Sequence, residues 1–220
     1  MSKNFPVSNY NKSQTKDLFS LFIILPIFPI IVTCLGSIAI VSFFFCGLPI
    51  FFTQKRVGKN GSIFKMYKFR TMIKDAEKLQ SKYKKLNEAD GPVFKIRDDP
   101  RYTKFGKILS RTGLDELPQI LNVLKGEMCL VGPRPLPVYE AKKLTKTQNI
   151  RLLVKPGITS SWIVNGHHKH AFSDWMKLDK EYVQNANLLT DLKILYKTAL
   201  IPVNYSIMSI KALLSSIQER

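Results

Sequence analysis

The sequence predicts an α/β chain of the α+β kind, rich in helix and poor in strand, with a kinked, re-entrant membrane helix ahead of a single membrane-associated cytoplasmic domain. Three observations predict it. First, no charged residue occurs in the 35 residues from Leu18 to Phe52, a run broken by Pro26, Pro29, Gly36 and the Gly47–Leu48–Pro49 step. A straight helix of that length would reach roughly 52 Å, against a hydrocarbon core of about 30 Å. Second, both flanks are basic, with Lys3, Lys12 and Lys16 before the run and Lys55, Arg56 and Lys59 after it. Positive charge marks the cytoplasmic side, so neither end reads as external. Pro26 and Pro29 supply the bend, since proline kinks a membrane helix and frees a carbonyl. One tilted span is the alternative these residues leave open; the run is far too long for the core of a signal peptide. Third, the remaining ~170 residues suffice for one domain with its own hydrophobic core. The boundaries expected are a polar tail over 1–16, the membrane helix over 17–52, the domain over 53–200 and an apolar interfacial helix over 201–220.

The elements follow in order. Ile50–Val57 reads as a strand, Gly58–Gly61 as a turn and Ser62–Arg70 as a second strand, with alternation at Ile63, Lys65, Tyr67 and Phe69; together they form a basic hairpin. Lys74–Glu88 reads as a lysine-rich polar helix, Gly91–Arg97 as an extended piece and Asp98–Arg101 as a turn. Tyr102–Arg111 is expected to be a helix stopped by Gly113. Leu114–Lys125 reads as an amphipathic helix opening on Asp115–Glu116 and closed by Gly126. Met128–Val131 reads as a buried strand, Gly132–Pro135 as a rigid loop and Pro137–Thr147 as helical. Lys155–Gly157 is a turn before Ile158–Val164, and Phe172–Asn185 and Leu188–Leu200 are helices, followed by an apolar helical tail over Ile201–Ile217.

Charge narrows the partners. Lys and Arg number 34 against 16 Asp and Glu, a net +18. Such an excess points to a polyanion, and beside a membrane segment lipid headgroups are the simplest, each basic residue contributing about 1 kcal/mol. Nucleic acid is not expected, because no helix-turn-helix, RNA-binding sheet signature or zinc knuckle is present. Cys34, Cys46 and Cys129 form no CxxC pair, which fits a reducing compartment without a disulfide framework. No GxGxxG follows a strand and no Walker loop occurs.

Three places could carry chemistry. Asp115–Glu116 opens a helix, where acidic residues commonly complement the dipole. Their company suggests more: Arg111 upstream, Arg134 in a proline-locked loop, Lys68 and Arg70 in the hairpin. Carboxylates among several cations suit a phosphorylated anion with a divalent metal, one acid serving as nucleophile and its neighbour as metal ligand or base. Gly132–Pro133–Arg134–Pro135 presets a guanidinium for bidentate phosphate recognition, or is a solvated arginine in a turn. His167, His168 and His170 lack a carboxylate or cysteine at ligand spacing and are read as part of a substrate-side loop. Trp162, Trp175 and Phe172 are read as core in preference to a base-stacking platform.

The residues "PIFFTQKRVGKNGSIFKMYKFRTM" (49–72), "DDPRYTKFGKILSRTGLDELPQILNVLKGEMCLVGPRP" (98–135), "KPGIT" (155–159) and "LDKEYVQNANLLTDLKILYKT" (178–198) together resemble the bacterial sugar transferases, monotopic polyprenyl-phosphate phosphoglycosyl transferases. The resemblance covers nearly all of the chain from Asp17 onward. It implies transfer of a phosphosugar from a nucleoside-diphosphate sugar, usually a UDP-sugar, to polyprenyl (undecaprenyl) phosphate on the cytoplasmic face of the bacterial plasma membrane. Asp115 is then the nucleophile that forms a covalent phosphosugar intermediate, with Glu116 its neighbour in the dyad and Mg2+ the cofactor at Asp115 and Glu116. Arg134, beside Pro133, would hold phosphate, as would Lys68 and Arg70; Asp99, Arg101 and Asp179 match further motif positions. The family's anchor is a kinked re-entrant helix, which favours re-entrance here.

Four departures from the family pattern stand out. Phe28 precedes Pro29 where serine is usual, Gly113 stands for the serine before "LDE", and Ser110 replaces an arginine, with Arg111 beside it. After "GIT" the chain reads "SSWIVNGHH", with Ile163 in place of glutamine and His167 in place of arginine, in a segment expected to line the donor pocket. The chain lacks the extra membrane helices of larger relatives, which implies the small, catalytic-domain-only form. No heptad or other interface signal indicates an oligomer.

Overall fold

The computed structural model describes residues 5–165 and 171–218, with side chains as far as 208. It is helix-rich with two small sheets, as the sequence predicts. After a short helix α1 (Asn9–Lys12), helix α2 runs unbroken from Thr15 to Cys46 through Pro26 and Pro29. It is the one helix among the described residues long and apolar enough to cross a membrane. Most of its surface is bare: Phe22, Leu25, Ile30, Phe44 and Phe45 are each more than 60% exposed.

Both ends of α2 are fastened to the same domain. Near its start Asp17 meets Lys155 Nζ at 2.8 Å, and Ser20 Oγ accepts from the Leu130 amide at 3.3 Å. At its end Gly47, in the left-handed region with φ 67°, closes the helix. Arg70 then donates to the carbonyls of Cys46, Gly47 (2.9 Å) and Leu48 (2.9 Å). A buried guanidinium on the last carbonyls of a helix satisfies orphan acceptors and complements the negative end of the dipole. Cys46 Sγ and Thr103 Oγ1 lie 3.1 Å apart, and the rings of Phe45 and Phe105 5.9 Å apart.

The hairpin forms as expected. Strands β1 (Phe51–Val57) and β2 (Ile63–Phe69) pair antiparallel, Phe52 opposite Lys68 and Lys55 opposite Lys65. Phe64 and Met66 of β2 are buried and, at i−4 and i−2, share the face of Lys68, while buried Phe69 lies on the opposite face. The second sheet is parallel: β3 (Cys129–Val131) beside β4 (Gly157–Thr159). These strands approach so closely that a Cβ on Gly157 would meet the Gly132 amide nitrogen at 2.0 Å. The main core joins Ile24 and Ile31 of α2 to Phe64, Met66, Val131 and Tyr182, with Ile120, Val123 and Ile194.

Three helical expectations need correction. Lys74–Glu88 is not an α-helix but a succession of i→i+3 turns, with a 3-10 turn at Lys84–Leu86. Lys74, Lys78 and Lys82 would stack at i, i+4 on a helix, where like charges repel, and Asp75 takes a left-handed backbone (φ 59°) that an α-helix does not accept. Leu114–Lys125 is not one amphipathic helix. Leu114–Gln119 is a 3-10 turn containing Pro118, and only Ile120–Leu124 is α-helical (α4). Pro118 brings no amide hydrogen to an α-helical ladder. Of Pro137–Thr147 only Val138–Ala141 is α-helix (α5). Elsewhere α3 (Lys104–Thr112) ends at Gly113 (φ 76°), α6 spans Ser161–Val164, α7 Phe172–Asn185, and α8 Leu188–Gln218 continues through the apolar tail without a break.

Candidate active site

Asp115 and Glu116 sit on the 3-10 turn that starts at Gly113, whose left-handed backbone turns the chain sharply out of α3. The turn is held against β2 by Asn122, which is fully buried. Its Nδ2 donates to the Lys65 carbonyl at 2.7 Å and its Oδ1 accepts from the Tyr67 amide at 3.2 Å. That anchor sets the two carboxylates opposite Lys68.

The ionic geometry is tight. Lys68 Nζ lies 2.6 Å from Glu116 Oε1 and 3.6 Å from Asp115 Oδ2. Arg134 grips Glu116 with both Nη atoms, Nη2 to Oε1 at 2.5 Å and Nη1 to Oε2 at 3.1 Å. This bidentate fork is the geometry in which arginine binds carboxylate or phosphate oxygens most strongly. The two acids therefore part company. Burial raises the Asp115 carboxyl to about 6, with Lys68 opposing and the Glu116 charge adding to the rise. Burial acts the same way on Glu116, but Arg134 and Lys68 outweigh it and hold that carboxyl well below the ordinary range. The two neighbouring acids therefore differ in basicity, Asp115 the more basic.

The loop bearing Arg134 is clamped by backbone and side chain together. Gly132 N donates to the Thr159 carbonyl (3.0 Å), Gly157 N to Pro133 (3.1 Å), Arg56 Nη1 to Pro135 (2.8 Å) and Val57 N to Leu136 (3.0 Å). Arg151 Nη2 donates to the Arg134 carbonyl itself and lies 3.0 Å from Asp179 Oδ2. The arginine thus presents its guanidinium from a fixed backbone.

Of the residues singled out in the sequence, Asp115, Glu116, Lys68 and Arg134 come together. Pro133 shapes the loop, and Asp179 reaches it through Arg151. The other charged residues have different partners. Arg70 caps α2. Arg101 pairs with Asp99 (Nη2–Oδ2 2.6 Å) and donates to the Ala76 carbonyl, and Arg111 pairs with Asp98 at 2.5 Å. Ile163 packs against the cluster of Trp162, Phe172, Trp175 and Met176, in which Trp162 and Trp175 stack with centroids 4.6 Å apart. Those tryptophans are buried core. His167, His168 and His170 lie outside the described residues.

Arg56, Lys95 and Arg151 escaped the sequence reading. Burial lowers Lys95 to about 7, helped by the Arg134 charge, and its Nζ lies 5.8 Å from the Trp175 ring centroid. Arg151 carried a signal that could have been read: an arginine between Ile150 and Leu152–Leu153–Val154 is a candidate for a buried, paired cation.

Two adjacent carboxylates fit Mg2+, which commonly takes one or two protein carboxylates and completes its shell with water and substrate phosphates. Among the described residues no group of three His, Cys, Asp or Glu comes together.

Comparison with known proteins places these residues in context. The family described as bacterial sugar transferase matches residues 10–204. The chain is 46% identical over 153 residues to galactosyl transferase CpsE of Streptococcus agalactiae serotype III, covering 69% of this chain and 34% of that protein. It is 34% identical over 197 residues to the exopolysaccharide production protein ExoY of Sinorhizobium fredii, 88% and 85% of the two chains. It is 38% identical over 163 residues to undecaprenyl-phosphate galactose phosphotransferase of Salmonella typhimurium, 70% and 33% of the two. The chain thus spans about a third of the length of CpsE and of the Salmonella protein, and most of ExoY.

Proposed function

The chain belongs to the bacterial sugar transferase family, and from that premise we propose that it moves a phosphosugar from a nucleoside-diphosphate sugar, a UDP-sugar, to polyprenyl (undecaprenyl) phosphate. The products are a polyprenyl-diphosphate sugar and a nucleoside monophosphate. The observation that carries this reading is the Asp115–Glu116 pair, Asp115 buried and Glu116 partly so, facing Lys68 and the Arg134 fork.

In this reading an Asp115 Oδ attacks the phosphorus that bears the sugar. The P–O bond to the nucleoside monophosphate breaks, and that oxygen leaves with its electron pair. The product is an acyl phosphate on Asp115. An oxygen of polyprenyl phosphate then attacks the same phosphorus and the P–O bond to Asp115 breaks, restoring the carboxylate. A carboxyl titrating near 6 is mostly ionised at neutral pH, yet more basic than an ordinary aspartate. Lys68 and Arg134 offset the repulsion between the carboxylate and an incoming diphosphate. Glu116 orients both cations and keeps its charge, because they hold it ionised. Mg2+, bound at Asp115 and Glu116, would add charge neutralisation on the diphosphate.

The acceptor's phosphate lies at headgroup level, so the nucleophile must lie there too. We read α2 as a re-entrant anchor on the cytoplasmic face of the plasma membrane, with membrane lipids around it. Its exposed apolar surface and the attachment of both its ends to one domain support that reading.

The test is nucleoside monophosphate release by nanodisc-held protein supplied with Mg2+, undecaprenyl phosphate and a panel of UDP-sugars. Release with one sugar, absent in Asp115→Asn, is the expected result. Release that survives in Asp115→Asn would remove Asp115 as nucleophile.

A further inference from the structure

A polar pocket lies away from the Asp115 centre. It has about 180 Å3 and lies at the start of α2, lined by Asn11, Lys12, Ser13, Gln14, Lys16, Asp17, Lys59, Val154 and Lys155. About 10–15 Å3 of such space holds one water, so it has room for a hydrated phosphate group. Its wall is built from three separate places: the α1–α2 junction, the tip of the β1–β2 hairpin and the turn before β4. Each place brings lysine.

Four lysines and one aspartate line it, a balance of 4 − 1 = +3. Lys155 is answered by Asp17 at 2.8 Å, and Lys16 donates to Asn11 Oδ1 (2.6 Å) and Tyr182 Oη (2.7 Å). Lys12 and Lys59 have no carboxylate within ion-pair distance among the described residues. The first turn of α2 also contributes, since Gln14 at its N-cap makes no side-chain hydrogen bond to the free amides. Converging like charges are unfavourable unless an anion joins them. Uncapped helix amides beside lysines suit a phosphate group.

We propose that this pocket is a second anion site, distinct from the Asp115 centre, that takes a terminal phosphate group: a soluble phosphate or the headgroup of an anionic phospholipid. Lys12 and Lys59 hold the phosphate, and the α2 amides support it. The site stands independently of the transfer reaction, for none of its lining residues belongs to the carboxylate centre.

The test is hydrogen exchange of the nanodisc-held full chain, read at amides 11–17 and 154–157. One arm adds inorganic phosphate at constant ionic strength to phosphatidylcholine discs. The other compares phosphatidylglycerol with phosphatidylcholine discs without phosphate. Protection in the first arm assigns a soluble phosphate, and protection in the second alone assigns a lipid headgroup. In either case Lys12→Gln/Lys59→Gln should weaken the response roughly 30-fold, about fivefold per lysine, while Arg134→Ala leaves it in place. The double variant is checked for the wild-type melting temperature in phosphatidylcholine discs. No protection in either arm, or equal protection in the double variant, overturns the proposal.

Discussion

Replacing Lys68 with methionine tests the electrostatic core of the site through a sign as well as a size. Lys68 Nζ stands 3.6 Å from Asp115 Oδ2 and keeps only 13% of its side chain exposed. At an effective dielectric of about 20, two unit charges at that separation interact by about 4.6 kcal/mol. Water entering from the open side, and Arg134 remaining nearby, reduce the usable part to about 1.5–3 kcal/mol, or roughly one to two pH units. Methionine keeps the length and removes the charge, so the ionised form of Asp115 loses support and its carboxyl titrates higher. The acid limb of nucleoside monophosphate release should therefore move from near 6 to about 7 or above, together with any fall in rate from poorer phosphate binding. An activity-independent check is infrared difference spectroscopy against Asp115→Asn, following the protonated-carboxyl band through the same pH range. A limb and a band that stay near 6, or move down, refute the account of how Lys68 tunes Asp115.

Two further outcomes are expected. Asp115→Asn should be no less stable than wild type at pH 7.5 in thermal unfolding. The folded carboxyl is raised from 3.8 to about 6, so the fold holds the proton more tightly than the unfolded chain. The penalty is absent below the unfolded value, accrues between 3.8 and about 6, and levels off above that, on the order of 3 kcal/mol at pH 7.5. Asp179→Leu should cost about 3–5 kcal/mol in a denaturant titration, because it leaves Arg151 buried and unpaired, while Arg151→Met/Asp179→Leu should recover most of that loss. If the double variant is as unstable as the single, the ion pair is not what stabilises this region.

Much of the fold was legible because it rests on local patterns. The hairpin was set by alternation in β2 around a turn, α7 by helical periodicity, and the stop of α3 by Gly113. Lys74–Glu88 has the composition of a helix, but lysine repulsion and the left-handed backbone at Asp75 work against one. Pro118 lay in plain view within the expected Leu114–Lys125 helix, yet the acidic start and glycine close outweighed it in the reading.

The site divides along the same line. Adjacent carboxylates at 115 and 116, a proline-bracketed arginine and a lysine on an alternating strand were readable one by one, since each signal is a residue type at a local spacing. Which cations join them depends on contacts between segments tens of residues apart, and sequence spacing carries no such distances. Only the packed chain separates Lys68, on Glu116, from Arg70, on the last carbonyls of α2. Only there does Arg151 connect Asp179 to the Arg134 loop. The sequence by itself determined the long apolar helix, the hairpin and the chemical types available for catalysis, because hydrophobic period and turn chemistry are local. Tertiary structure decided which charges are buried beside one another, and hence which acid gives up its proton readily and which holds it, because burial and Coulomb forces depend on distances that only folding creates.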